Sequence, residues 1–240
     1  MLPAFQESDI VIANFTVDGS AKAKLKSLLP ASSARRELKR FFTRAVLTAR
    51  LLTGGTVSQS QLFRDLEGKN VALVGNARSL GASSYGQQID LHDVVIRFNR
   101  VPILSRKSHG YKTDWVATGV PLNQARLSSL GASRLLWLSA YRRKMTAETA
   151  AIKGLYVHPH GDFHGLTGNA HVERPSTGFV AIDLLRRSPC RAVSLYGFDF
   201  YQSRSSSSHQ TIDTAPHQFN REEIYVQQLL ERDARFTLIR

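Results

Sequence analysis

The sequence predicts an α/β domain: a mostly parallel sheet of Rossmann type flanked by helices, with a basic helical arm on its N-terminal side. Three observations predict it. Seven short buried-type runs rich in Val, Ile, Leu and aromatic residues fall at 71–75, 94–98, 114–118, 135–138, 155–157, 192–196 and 236–239. Helical patterns separate several of them, notably 177–187 and 221–232, and strands alternating with helices imply a sheet covered on both faces. The length of 240 residues suits about one such core with an appended segment.

Composition supports an ordinary globular chain, with 42% apolar and 21% charged residues. No apolar run approaches the ~20 residues of a membrane span. The first nine residues lack a basic start followed by an apolar stretch, so no signal peptide is expected. Cys190 is the single cysteine, which excludes an intramolecular disulfide and a cysteine-built zinc site, and a reducing compartment is expected. The net charge is +13, and residues 21–50 supply +8 of it, with nine Lys/Arg against Glu37. Such a balance favours anionic partners. Its concentration in one arm weakens a general nucleic-acid reading, and no nucleic acid partner is expected.

The arm (1–68) is read as a basic stretch ended by Pro30, then a helix capped by Ser32 or Ser33, running to about Leu52 and stopped at Gly54-Gly55. Its apolar residues, among them Leu38, Phe41, Phe42, Val46, Ala49 and Leu52, keep close to helical spacing. A basic amphipathic helix can lie on an anionic membrane surface, or pack on its own domain with the charges outward. Residues 69–240 carry the sheet. Ligands of such sheets bind beyond the carboxyl ends of strands, which directs attention to the residues after Val74, Phe98 and Tyr196. No internal repeat is visible, and 203–208 is a low-complexity Ser/Arg loop.

Four constellations carry candidate chemistry. Gly75-Asn76 follows the first strand, and Gly75 and Gly81 let backbone approach a ligand, although the pattern is neither a dinucleotide fingerprint nor a P-loop. Asn99 stands just beyond the second strand, and its amide suits a ribose hydroxyl or a phosphate oxygen, or simply a turn. Pro175-Ser176-Thr177-Gly178 opens the helix of 177–187, putting hydroxyls and N–H groups at a positive helix end, with Ser176 as N-cap. His217 lies just before the last helix, for which Asn220 and Glu223 suggest a capping box; a loop His beside a helix N-terminus tends toward neutrality, which suits a general base.

Taken in order, these stretches resemble the sialylmotifs of the animal sialyltransferase family, glycosyltransferase family 29. Gly75-Asn76, Ser83-Ser84-Tyr85-Gly86, Ile89-Asp90-x-His92-Asp93 and Arg97-x-Asn99 resemble the large motif; Pro175 to Gly178 through Leu195-Tyr196-Gly197-Phe198 resemble the small one; His217-x4-Glu222 resembles the very small one. The resemblance covers about 70–225, with little over 120–170. It implies a GT-A-like fold and inverting transfer of sialic acid or a related keto acid sugar from a CMP-sugar to a glycan or glycolipid hydroxyl. It implies further that Asn76 and Asn99 hold the donor nucleotide and phosphate, that Ser176, Thr177 and Gly178 contact cytidine and the sugar carboxylate, that Gly197 lines the nucleotide pocket, and that His217 is the catalytic base. The family needs no metal, and this chain has no Asp-x-Asp motif, so neither metal nor other cofactor is expected.

The sequence departs from the family in three places. The third motif, a His-Tyr-aromatic-acid run, is missing, which leaves His209 as the candidate for the phosphate-side histidine. The family's first-motif cysteine is Val71 here while Cys190 keeps the second position, so the bridge is lost; a cytosolic, bacterial enzyme is expected, peripheral at the inner face of the membrane if the arm docks there. Arg174 replaces an aromatic residue. CMP-Kdo is the alternative donor. A non-catalytic anionic-ligand or nucleic-acid binder on the same fold is the reading from a different class.

Overall fold

The described residues, 32–200 and 217–239 of a computed structural model, carry all seven predicted strands. They are β1 (Asn70–Val74), β2 (Val94–Phe98), β3 (Trp115–Thr118), β4 (Arg134–Trp137), β5 (Leu155–Val157), β6 (Ala192–Tyr196) and β7 (Phe236–Ile239). The helices are α1 (Ser32–Leu52), α2 (Gln59–Leu66), α3 (Gly86–Asp90), α4 (Arg106–His109), α5 (Gln124–Ser129), α6 (Ala147–Ala150), α7 (His160–Ala170), α8 (Thr177–Arg186) and α9 (Phe219–Arg232), with 3-10 turns at Arg78–Ala82 and Arg142–Lys144. Residues 21–31, the Ser/Arg loop and His209 lie outside the described residues.

The strands form one sheet, ordered β5-β4-β3-β2-β1-β6-β7, in which every neighbouring pair is parallel. The predicted mostly parallel sheet is thus wholly parallel. Predicted strand ends differ from these by one residue where the ladder continues past them. Gly75 N–H donates to the Tyr196 carbonyl (2.7 Å), Asp114 N–H to Val95 (2.9 Å) and Leu138 N–H to Thr118 (2.9 Å). Alternate residues go to opposite faces: Val71 and Leu73 join the core with α8, while Ala72 and Val74 pack with Leu80, Ile89 and Tyr196. The central strands β2 and β3 are buried along their whole length, which is why they read as nearly continuous apolar runs. Each fully buried Leu, Ile or Val contributes about 1.5–3 kcal/mol.

The chain forms two compact units, Met1–Phe41 and Phe42–Arg240. In the first, residues 36–41 of α1 are exposed, Phe41 at 67%. The second takes in residues 42–68 together with the sheet. There Leu47 packs with Val116, Leu135 and Trp137, and Arg50 Nη1 donates to the carbonyls of Ala150 (2.9 Å) and Ile152 (2.8 Å). Gly54 ends α1 with φ +69°, the left-handed conformation that glycine supplies cheaply. Helix α2, hidden in the sequence within the arm, is capped by Ser58 Oγ, which accepts from Gln61 N–H (3.1 Å), and buries Leu62 and Leu66 completely. Among the described residues no helix is long and apolar enough to cross a membrane.

The last helix begins earlier than the sequence suggests. The Gln218 carbonyl accepts from Arg221 (3.0 Å) and Glu222 (3.1 Å), so α9 starts at Phe219 without a side-chain cap. Asn220 is an exposed residue inside the helix, and the expected capping box does not form.

Candidate active site

A cavity of about 770 Å³ opens where the carboxyl ends of β1, β2, β3, β4 and β6 meet the N-termini of α8 and α9. The chain proceeds from β1 outward to β5, then crosses back to place β6 on the other side of β1. The cavity therefore spans the point where strand order reverses, the expected ligand position in an open parallel sheet. Asn76, Asn99, Ser176, Thr177, Gly178, Gly197 and His217 all line it.

The floor is main chain. Gly75 donates to Tyr196 (2.7 Å) and Ala77 N–H to the Gly197 carbonyl (3.2 Å). A Cβ on Gly75 would collide with the Gly197 carbonyl, and Gly197 sits at φ +64°. Glycine is thus required at both turns, one for close approach and the other for backbone conformation.

Asn99 adopts φ +55°, so it does serve as a turn residue. Its Oδ1 accepts from Thr118 Oγ1 (3.3 Å) and Gly119 N–H (3.3 Å). The acceptor side of the amide is engaged, and the Nδ2 hydrogens are what it can offer a ligand oxygen. Arg97, two residues earlier, is 2% exposed; it donates to the carbonyls of His109 (2.6 Å) and Lys112 (3.0 Å) and to Thr113 Oγ1 (3.1 Å), fastening the loop after α4 to β2.

Ser176 caps α8 as expected, accepting from Phe179 N–H (3.1 Å). Its own N–H and hydroxyl donate to Glu222 Oε1 (2.6 Å) and Oε2 (2.7 Å). Of the four N-terminal N–H groups that α8 leaves outside its own ladder, those of Ser176 and Phe179 are therefore satisfied by side chains; those of Thr177 and Gly178, with the Thr177 hydroxyl, are available to an anion. Glu222 is 2% exposed, and burial pushes its carboxyl up to about 7 against the pull of the two Ser176 bonds.

His217 Nδ1 lies 2.8 Å from the Arg174 carbonyl. A carbonyl can only accept, so Nδ1 carries the proton and the neutral ring keeps its lone pair on Nε2. Burial holds this imidazole below its ordinary pKa, helped by the Arg174 and Lys144 charges and opposed by the Arg174 carbonyl bond. The ring is thus neutral, as its position suggested, with desolvation as the leading cause. The Phe219 ring packs beside it, centroids 5.5 Å apart.

Sequence reading missed the wall after β4. Ser139 Oγ accepts from Tyr141 N–H (3.2 Å), and the turn that follows brings Tyr141, Arg143 and Lys144 to the rim. The signal was available: a basic triplet lies just past the carboxyl end of a predicted strand. Among the described residues no group of three or more His, Cys, Asp or Glu side chains could hold a metal ion.

The model of glycosyltransferase family 29 (sialyltransferase) matches residues 28–134. The chain is similar to this family over that stretch, a little under half of its length. The match takes in α1, outside the stretch where motifs were visible, and ends before the segments that bring Ser176 and His217 to the cavity. Among curated relatives, sialyltransferase-like protein 5 of Oryza sativa subsp. japonica is 31% identical over 131 residues, covering 53% of this chain and 26% of that protein. The mouse CMP-N-acetylneuraminate-beta-galactosamide-alpha-2,3-sialyltransferase 2 is 26% identical over 164 residues, covering 57% and 45%. The chain thus spans less than half the length of these relatives. The fold is shared with a mammalian sialyltransferase crystallised with Gal-beta-1-3GalNAc-ortho-nitrophenol (TM-score 0.57, 19% identity, 82% of this chain and 78% of the other). A second mammalian sialyltransferase structure gives a TM-score of 0.52 at 18% identity, covering 72% and 69%.

Proposed function

We propose that this chain acts as a family 29 glycosyltransferase, transferring sialic acid, or a related keto acid sugar, from a CMP-sugar to a glycan hydroxyl with inversion, and that His217 is the base. One observation carries the reading. A single cavity gathers the Asn99 amide, the free N–H groups of Thr177 and Gly178, and a neutral imidazole whose proton is held on Nδ1. In the step, the acceptor oxygen bonds to the anomeric carbon as the bond from that carbon to the phosphate oxygen breaks. The electron pair leaves with CMP, and the hydroxyl proton passes to His217 Nε2. Charge grows on the departing phosphate, where hydrogen-bond donors and a helix N-terminus stabilise it. Asn76, Asn99 and Gly197 serve the nucleotide and phosphate. Thr177 and Gly178 serve the anionic groups directly, and Ser176 positions them.

The acceptor is a glycan or glycolipid. Basic helix α1, with Leu38, Phe42 and Leu52 exposed, gives the chain a means of resting on an anionic membrane, and a cytoplasmic enzyme acting at the inner face fits a chain that can form no intramolecular disulfide. The test offers purified protein CMP-sialic acid and CMP-Kdo separately and follows donor hydrolysis, with and without EDTA. Turnover of one donor, unchanged by EDTA, is expected. Consumption of neither, or a strict metal requirement, rejects the reading. His217→Ala should lower turnover by roughly 10²–10⁴ and leave CMP affinity intact by calorimetry; wild-type turnover would remove His217 from the role of base.

A further inference from the structure

The cavity rim carries more positive charge than its own residues neutralise. Arg143, Lys144 and Arg174 line it, all exposed, and none forms an ion pair with a described residue. Arg143 and Lys144 are instead held over the ring of Tyr141, at 5.4 and 5.2 Å from its centroid. The turn bearing them is fixed to the sheet: Trp137 Nε1 donates to the Ser139 carbonyl (3.0 Å), and Ser139 Oγ accepts from Tyr141 N–H. Tyr141 remains 38% exposed between its two cations. Cations steadied over an aromatic ring and lacking a carboxylate partner fit a ligand bearing negative charge, to which they supply charge-assisted hydrogen bonds.

Position decides which substrate these cations meet. Lys144 stands close enough to His217 for its charge to act on the imidazole, so it belongs to the side from which the nucleophile enters. The groups assigned to the donor phosphate, Asn99 and the first turn of α8, come from other elements lining the cavity, the end of β2 and the start of α8. We infer that Tyr141, Arg143 and Lys144 form an acceptor subsite that selects an acidic glycan, one carrying a carboxylate, sulfate or phosphate near the reacting hydroxyl. The inference rests on the CMP-donor reading above.

The test uses the 240-residue chain saturated with CMP, applied to immobilised glycans presented as matched pairs, neutral and sulfated, phosphorylated or uronic. Preferential retention on acidic members is expected, falling by about tenfold or more in Arg143→Ala/Lys144→Ala, which removes at least one charge-assisted hydrogen bond. The same variant should keep its CMP affinity, and Arg36→Ala/Arg40→Ala on the arm should keep its glycan preference. Equal retention of neutral partners by the wild-type chain overturns the subsite, as does retention of no glycan. So does an acidic preference that survives the double substitution, or a double variant whose loss lies in CMP binding. Failure of the wild-type chain to bind CMP instead rejects the donor reading itself, which separates the two outcomes.

Discussion

At the scale of single residues, the site depends on the protonation of two side chains. As the proposed base, His217 must be neutral to accept a proton, and its pKa is depressed, so kcat/KM should rise with pH through a midpoint below the ordinary imidazole value of about 6.5. Lys144 contributes to that depression, so Lys144→Ala should move the midpoint upward; a pH profile that does not move, or moves down, contradicts the placement of the charge. Glu222 behaves in the opposite sense. Its folded pKa, about 7, is raised above an ordinary 4.5, so the stability tied to its protonated form is fully present below 4.5 and lost as pH rises through 7. Against Glu222→Gln, which does not titrate, the wild-type chain should lose on the order of 3 kcal/mol across that window. Urea midpoints of both proteins on either side of it measure this, and parallel curves would show that the carboxyl does not titrate with folding. His217-x4-Glu222 was visible as a motif, but Glu222's partner was not: Ser176 lies 46 positions away, a pairing that only the fold brings together.

At the scale of elements, strands were far easier to read than helices. A strand buried on both faces has no polar face to confuse the pattern, and β2 and β5, buried throughout, stand where the apolar runs predict, as do the less buried β6 and β7. Helix α7 was invisible because it holds Gly161, Gly165 and Gly168, each costing about 0.5–1 kcal/mol relative to Ala in a helix interior. Tertiary contacts hold it instead: Phe163 and Leu166 are buried, and Arg187 links Asp162 on α7 (2.7 Å) to Asp183 on α8 (3.0 Å). A Cβ on Gly165 meets nothing within 4 Å, so Gly165→Ala should raise stability by about 0.5–1 kcal/mol. Gly75→Ala should lower it by about 1–3 kcal/mol through collision with the Gly197 carbonyl. Thermal melts of the two variants should shift in opposite directions, and a shared sign would contradict one of the two environments. The wall after β4 escaped notice for another reason: cations read as solvated surface until a fold places them at a cavity.

At the scale of the whole molecule, charge is unevenly spread. Residues 21–50 supply +8 of the +13, yet that stretch crosses from one compact unit into the other. Leu47 and Arg50 belong to the larger unit's core, so removing residues 1–50 would damage it, whereas removal of 1–41 leaves both in place. The 1–41 deletion should retain donor hydrolysis and lose most binding to phosphatidylserine vesicles, while the intact chain should release them as ionic strength rises. Undiminished vesicle binding after deletion would dissociate the arm from the membrane. Sheet topology was legible as a class, because alternation dictates parallel crossovers, but the reversal of strand order beside β1 was not. That reversal sets Gly75 against Gly197, and the contact has a consequence for inheritance. A floor made of two peptide backbones has no side chain through which point mutation can reshape it. A lineage drifting toward a new acceptor must therefore work on the walls, in stretches such as 139–144, while the base of the cleft stays the same.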